Sequence, residues 1–167
     1  VRENLIRMRH HACLAVISGN NEMELAMLYW WPDAEGMDER RANYLKVFEH
    51  MIPEIRKEVC AYIPYIPSSP TSYGSFIEPG NDNYGDSHYW EVWHGNMPIT
   101  EYRKFHFRYL SEFGFQSFPS VKTIETFTLP EDRNIYSYVM EKHQRNAAAN
   151  GKISNYMSQT YLYPTSF

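Results

Sequence analysis

The sequence predicts an α/β fold in which short parallel strands alternate with helices. Strand-forming segments occur at residues 13–17, 60–66, 88–93 and 107–111, and helix-forming patterns lie between the first two and between the last two. The first segment is apolar without alternation, which is typical of a strand buried on both faces of a parallel sheet. The alternation of strands and helices calls for right-handed crossovers between parallel neighbours.

A long helical pattern follows the first strand. Apolar side chains recur every three or four positions between residues 37 and 59, which predicts a helix with one buried face. Pro53 lies inside this pattern, so we expect a kink there, or a second short helix with the proline in its first turn. The apolar positions are Tyr44, Phe48, Met51, Ile52, Ile55 and Val59.

The second half of the chain contains a long loop and further helices. The segment from residue 68 to residue 87 is rich in turn-forming residues and too long for a simple connection, so it is predicted to be a functional loop. Helical patterns cover residues 99–106 and 132–146. Gly151 is predicted to end the last helix.

Composition favours a soluble, folded chain. The sequence has 167 residues, a length that fits about one domain. The net charge is −4 and the basic residues are scattered, which argues against a nucleic acid partner. The chain has no apolar run long enough to span a membrane, and its first residues lack the apolar core of a signal peptide. Cys13 and Cys60 lie in apolar runs and are predicted to be buried free thiols.

Two carboxylates follow strand ends. Glu22 comes shortly after the first predicted strand, and Glu112 directly after the last. They are 90 residues apart, close to three units of a parallel αβ barrel at about 31 residues per unit. Both would then face the barrel mouth, as the carboxylate pair of a glycoside hydrolase does. Alternatively, Glu22 caps the next helix and Glu112 lies in the first turn of a helix, near its dipole.

Four segments occur together in an order that identifies a family. They are residues 18–22 (SGNNE), 65–70 (YIPSSP), 85–95 (GDSHYWEVWHG) and 111–120 (SEFGFQSFPS). Together they closely resemble the catalytic barrel of the β-mannosidases of glycoside hydrolase family 2, over residues 5–167. The resemblance implies a partial (β/α)8 TIM barrel, with roughly strands 4 to 7 and their helices.

The resemblance implies a role for each carboxylate. Glu112 corresponds to the nucleophile of a retaining mechanism, and Glu22 to the general acid/base. The substrate would be a terminal, non-reducing β-D-mannose residue of an oligosaccharide or glycan. Asn21 would donate a hydrogen bond to the 2-hydroxyl of this sugar. No cofactor is implied.

Aromatic residues and histidines are candidates for sugar contacts. Trp90, Trp93 and His94 belong to the third matching segment, and their rings can stack on a sugar or reach its hydroxyls. Trp30 and Trp31 could form another wall of the site. For each tryptophan, a place in the core is the alternative.

Asp86 and the histidines other than His94 are the remaining titratable candidates for the site. Asp86 and His88 could orient the site or bind the sugar. The remaining histidines have no metal-ligand spacing, so no metal site is predicted. They are His10, His11, His50, His106 and His143.

The length does not accommodate a complete barrel. A barrel takes at least about 200 residues, so residues 1–167 are interpreted as one segment, the C-terminal part of a catalytic TIM-barrel domain. Its partners would be the missing barrel strands and the β-sandwich domains of a longer chain, and the segment alone is expected to be inactive. Two alternatives stay open: another family 2 glycosidase (exo-β-glucosaminidase or endo-β-mannosidase) or a non-catalytic carbohydrate-binding module.

Overall fold

The computed structural model describes residues 1–162 and divides into two compact units. The first unit comprises Val1–Trp90 and Ile99–Phe113. The second comprises Glu91–Pro98 and the chain from Gly114 onward. The end of the family resemblance, residues 163–167, lies outside the described part.

Four short strands form two parallel pairs, both within the first unit. In the first pair Ile17 faces Tyr65 and Ser18 faces Ile66, and in the second Ser87 faces Leu110 and His88 faces Glu112. The parallel α/β character is therefore confirmed. Within residues 1–162 the two pairs do not close into a barrel. The strands are β1 (Ile17–Ser18), β2 (Tyr65–Ile66), β3 (Ser87–His88) and β4 (Leu110–Glu112).

The strands are shorter than the sequence predicts. Residues 13–16 are irregular and Cys13 is exposed, so the predicted burial of this thiol is wrong. Cys60 is buried, as predicted, but it ends a helix and does not begin a strand. Of the apolar run 60–66, Cys60 alone is helical and packs with Leu5 and Ile63, and the strand is limited to Tyr65–Ile66. A short apolar run fits a buried helix end as well as a strand, and periodicity does not separate the two.

The helix predicted over residues 37–59 is confirmed, but its middle part is π-helical and not α-helical. Pro53 lies in the first turn of the last segment, directly after the π-helical stretch. Tyr44 and Ile52 are buried as predicted, whereas Met51 is exposed because the wider turns rotate it away from the buried face. The segments are α3 (Met37–Tyr44), a π-helical stretch (Leu45–Met51) and α4 (Ile52–Cys60).

Two apolar clusters hold the first unit together. Leu5, Cys60 and Ile63 form one, and Met27, Met37 and Tyr44 form the other. The second cluster packs the helices that follow Glu22. The remaining helical segments of this unit are α1 (Arg2–Met8), α2 (Met23–Leu25), a π-helical turn (Ala26–Trp30) and a 3₁₀ helix (Ile99–Lys104).

The second unit is helical, but its helices match the sequence prediction only in part. The expected helix over residues 132–146 is mostly irregular and keeps only a short helix that the Ser137 hydroxyl caps by accepting from the Met140 N–H. Gly151 lies inside the last helix, so the predicted stop is wrong. The helical segments are α5 (Val121–Ile124), a 3₁₀ turn (Pro130–Asp132), α6 (Tyr138–His143) and α7 (Ala149–Thr160). Among residues 1–162, each helix is too short or too polar to cross a bilayer.

Candidate active site

Glu22 is held at the end of β1 by backbone pairing with the following loop. Its N–H donates to the Ser69 carbonyl at 2.8 Å, and Asn21 forms a parallel bridge with Ser69. Glu22 has a φ of 59°, a left-handed conformation that is rare for a residue with a side chain. Such strain persists where the surrounding structure imposes it, and it is concentrated at functional sites.

The side chain that caps the helix beginning at Met23 belongs to Asn20 and not to Glu22. The Glu22 side chain makes no capping hydrogen bond, whereas Asn20 Oδ1 accepts from the Met23 N–H at 3.1 Å. The same oxygen accepts from the Ser68 hydroxyl at 2.9 Å, and Asn20 Nδ2 donates to the Pro67 carbonyl at 2.8 Å. The capping alternative is therefore wrong, and the Glu22 carboxylate is directed elsewhere.

Glu112 is the last residue of β4. Its Oε2 accepts a hydrogen bond from Trp90 Nε1 at 3.2 Å, and 35% of its side chain is exposed. The next helix begins only at Val121, so the helix-dipole alternative for Glu112 is wrong as well. Its carboxylate is partly open to solvent and is oriented by an indole.

His88 connects the two carboxylates. Its Nδ1 lies 2.8 Å from Glu22 Oε1 and 3.4 Å from Glu112 Oε2. Only 1% of the imidazole is exposed, compared with 19% of the Glu22 side chain. The buried ring therefore contacts both carboxylates from the protein interior, and both carboxylates stay partly exposed to solvent.

Asp86 anchors the far side of this ring. Its Oδ2 accepts from the Ser69 hydroxyl at 2.5 Å and the Ser111 hydroxyl at 2.6 Å, and its Oδ1 accepts from the Thr71 N–H at 2.9 Å. Ser69 Oγ lies 3.1 Å from His88 Nε2. The buried carboxylate is therefore fully hydrogen-bonded, as a stable buried charge must be.

Gly85 allows the backbone next to Asp86 to approach the loop at Thr71 closely. Its φ is +62°, and a Cβ built there would overlap the Thr71 carbonyl. Only glycine combines this conformation with this close approach. The residue before Asp86 is therefore part of how the site is assembled.

The sequence-predicted sugar contacts have different surroundings. Asn21 is exposed beside Glu22. Trp30 and Trp31 are at least half exposed and form an edge-to-face pair with ring centroids 5.9 Å apart. Trp93 and His94 belong to the second unit, in which Trp93 is nearly fully buried and His94 is exposed.

Trp93 packs within the second unit. Its ring meets Phe115 edge-on with centroids 6.0 Å apart, and Lys152 Nζ lies 5.6 Å from the ring centroid. Lys152 also donates to the His94 carbonyl at 3.3 Å. Among the predicted sugar contacts, Trp90 hydrogen-bonds to the catalytic candidate Glu112.

Glu22, His88 and Glu112 also have a spacing that could hold a cation. One ligand atom from each lies within 4.8 Å of the others. His88 and Glu22, however, hydrogen-bond directly to each other, and Trp90 hydrogen-bonds to Glu112. We therefore describe the three residues as a hydrogen-bonded cluster and do not assign a metal to them.

Comparisons with known proteins reveal close relatives over nearly the whole chain. The chain is 30% identical, over 96% of its length, to the protein named β-mannosidase B of Thermothelomyces thermophilus. It is 31% identical, over 97% of its length, to the β-mannosidase B of Aspergillus flavus. The solved structure of the β-D-mannosidase of Dictyoglomus thermophilum matches 99% of the chain with a TM-score of 0.80 and 27% identity.

The chain is related to the β-mannosidases. These proteins are glycoside hydrolases. The chain spans 20% of the Thermothelomyces β-mannosidase, 21% of the Aspergillus β-mannosidase and 20% of the Dictyoglomus β-mannosidase. No family model matches it.

Several residues that surround the carboxylates have weak signals in the sequence. The sequence indicates Asp86 and His88 as residues that orient the site or bind the sugar, and it does not single out Ser69 or Ser111. All four lie in the segments that resemble the β-mannosidases, within a strand or no more than three residues from one. Polar residues in these positions were the available signal.

Glu24 is a buried carboxyl that the sequence did not reveal. It accepts from the Tyr44 hydroxyl at 2.7 Å and the Thr71 hydroxyl at 3.3 Å. Burial raises the pKa of Glu24, and the hydrogen bond from Tyr44 partly opposes this effect. Glu24 links the helix after Glu22 to the loop that supports Asp86.

Proposed function

We propose that this chain carries the two catalytic carboxylates of a retaining exo-β-mannosidase of glycoside hydrolase family 2. The observation that supports this most is the cluster of Glu22, which follows β1, with His88 and Glu112, which end β3 and β4. The names of the relatives, β-mannosidases, indicate which sugar is the substrate. The substrate is a terminal, non-reducing β-D-mannose residue of an oligosaccharide or glycan.

In the first step Glu112 is the nucleophile. A carboxylate oxygen of Glu112 bonds to the anomeric carbon while the bond from this carbon to the glycosidic oxygen breaks. Glu22 gives its proton to the departing oxygen. The Trp90 N–H, which donates to Glu112 Oε2, orients the attacking carboxylate.

In the second step Glu22 is a base. Water loses a proton to Glu22 and its oxygen bonds to the anomeric carbon, which releases Glu112. Retaining enzymes hold their carboxyl groups about 5–5.5 Å apart, which leaves no room for a water between Glu112 and the sugar. An oxygen of Glu22 within 4.8 Å of one of Glu112 is consistent with this class.

The sugar is bound by residues around the carboxylates. We assign Asn21 to the 2-hydroxyl, because it is exposed next to Glu22 and its amide can donate a hydrogen bond. Trp90 and Trp30, which belong to the same unit as the carboxylates, are proposed as further sugar contacts through ring stacking and N–H donation, and the roles of Trp93 and His94 stay predictions from the sequence.

The fold that presents these residues is proposed to be part of a TIM barrel. β1 to β4 correspond to barrel strands 4 to 7, since both carboxylates follow the carboxyl ends of parallel strands. Residues 1–167 form the C-terminal part of this catalytic domain. The other barrel strands and the β-sandwich domains belong to a longer chain, in keeping with the 20% of the relatives that is matched.

The proposal is tested with the full-length protein on aryl β-mannoside, β-glucosaminide and β-galactoside. We expect hydrolysis of the mannoside and a loss of kcat of about 10⁴-fold or more for Glu112→Gln, because nucleophile removal has effects of this size. Glu39→Gln, which changes an exposed glutamate, is the control.

Other outcomes separate the alternatives. Preference for the glucosaminide, or cleavage of internal mannosidic linkages, would indicate a different family 2 glycosidase. A wild-type protein that binds mannosides without cleaving them, with equal binding by Glu112→Gln, would indicate a carbohydrate-binding module. An unchanged kcat in Glu112→Gln would overturn the assignment of the nucleophile.

A further inference from the structure

Ser69 fixes the direction of the hydrogen bonds around His88. Its hydroxyl lies 2.5 Å from Asp86 Oδ2 and 3.1 Å from His88 Nε2. A hydroxyl has one hydrogen to donate, and an ionised carboxylate can only accept. Ser69 therefore donates to Asp86 and accepts from His88, so that Nε2 carries a hydrogen.

The opposite ring nitrogen then has a defined partner. His88 Nδ1 lies 2.8 Å from Glu22 Oε1, a hydrogen-bond distance. Two bare acceptor atoms do not approach so closely, so a proton lies between them. Either Glu22 is a carboxylic acid that donates to Nδ1, or the ring is an imidazolium that donates to Glu22.

We infer that His88 is a positioning residue that retains one proton on the Glu22–His88 pair, so that Glu22 begins the reaction as an acid. This inference rests on the proposed function. The charged groups that face the ring are Glu22 and Glu112 at Nδ1 and Asp86 beyond Nε2.

The inference accounts for the whole proton cycle. When the glycosidic bond breaks, the proton shared by the pair passes through Glu22 to the departing oxygen, and the pair is left without it. When water attacks, its proton returns to Glu22 and restores the pair. His88 touches neither sugar nor water in this scheme, and its Nε2–H stays on Ser69 throughout.

The test compares His88→Asn and His88→Phe in the full-length protein. An asparagine amide can accept from Glu22 but cannot take its proton, and phenylalanine can do neither. We expect a loss of kcat on the order of 10²-fold for His88→Phe, with a smaller loss for His88→Asn and little change in KM. His106→Asn, an exposed histidine, is the control.

The pH profile separates this role from a structural one. Without His88 the proton has Glu22 as its only site, so the basic limb of kcat/KM should move to lower pH. A lower kcat with an unmoved basic limb would overturn the inference. Ser69→Ala, which keeps His88 but removes the acceptor for Nε2–H and the donor to Asp86, should move the limb in the same direction with a smaller loss of kcat.

The position of the proton can be measured without activity. In protein labelled with ¹⁵N-histidine, the His88 signals, assigned by their loss in His88→Asn, should show a hydrogen on Nε2. A neutral ring protonated only at Nδ1 would overturn the inference. If the wild-type protein hydrolyses no glycoside, the proposed function fails, and this measurement still decides where the proton lies.

Discussion

A carboxylate oxygen of Glu22 lies within 4.8 Å of one of Glu112, although 90 positions separate the two residues in the chain. Glu22 follows β1 and Glu112 ends β4. His88 contacts both from its buried position on β3. Two carboxylates in different surroundings and so close together can divide nucleophilic attack and proton transfer between them.

Replacement of the proposed acid/base should leave a variant that azide rescues. In Glu22→Ala, an aryl mannoside with a good leaving group still forms the glycosyl-enzyme, but its hydrolysis loses the base, so kcat should fall by about 10²–10⁴-fold. Azide needs no base to attack. We expect it to restore turnover and to yield β-mannosyl azide, identified by the NMR coupling at the anomeric carbon.

The matched variant Glu112→Ala distinguishes the two roles. Without a nucleophile, azide attacks the anomeric carbon directly from the opposite face, so the product should be α-mannosyl azide. If Glu22→Ala gave the α product and Glu112→Ala the β product, the two roles would have to be exchanged.

Gly85→Ala should disturb the support of Asp86. The new Cβ would overlap the Thr71 carbonyl, and the positive φ adds strain of about 1–3 kcal/mol. We expect a lower unfolding temperature and a lower kcat. Gly36→Ala is the control, since its φ is +71° and a Cβ there meets no atom within 4 Å. Equal effects of the two substitutions would show that the close approach at Gly85 is unimportant.

Glu24→Gln should stabilise the protein near neutral pH. Burial raises the pKa of Glu24 above its ordinary 4.5, so this carboxyl favours the folded state below pH 4.5, and that contribution is lost as the pH rises through the raised value. Glutamine keeps partners for Tyr44 and Thr71 without the charge, which should add about 1 kcal/mol at pH 7.

Thermal unfolding at pH 7 and pH 4 measures this effect. The advantage of Glu24→Gln should be present at pH 7 and shrink at pH 4, where the wild-type carboxyl is protonated. Glu39→Gln, at an exposed position, should show no such dependence. A variant less stable than the wild type at pH 7 would contradict the prediction.

Removal of metal ions should leave activity unchanged. The proposed steps use the two glutamates and water, and hydrogen bonds already connect Glu22, His88 and Glu112 to protein groups. Dialysis of the full-length protein against a chelator should therefore not alter kcat/KM for an aryl mannoside. A loss that one divalent cation restores would assign the cluster a metal after all.

The sequence predicted the elements whose signals are local. The helix from Met37 was readable because apolar residues repeat along it and Pro53 fits a first turn. Parallel pairing was readable because the strands alternate with helices. The ends of β1 and β2 were not, since an apolar run such as that around Cys60 suits a helix or a strand and is decided by what packs on it.

In the candidate site, too, the sequence predicted what depends on local signals, and the structure decided what depends on contacts between distant residues. Glu22 and Glu112 could be selected from the sequence because each follows a strand, and the family resemblance gave each a role. The capping alternative for Glu22 was removed only by the structure, in which Asn20 makes the capping bond. Asp86 as a hydrogen-bonded anchor depends on Ser69, Thr71 and Ser111, and no spacing in the sequence connects them.

The sequence by itself determined which residue types stand at the strand ends, since this follows from hydrophobic pattern and chain order. Only the tertiary structure decided that a buried imidazole lies between the two carboxylates. That arrangement depends on the register of β3 against β4, the left-handed turn at Glu22 and the close approach at Gly85. These are contacts between distant parts of the chain, whose distances are fixed by packing and not by local preference.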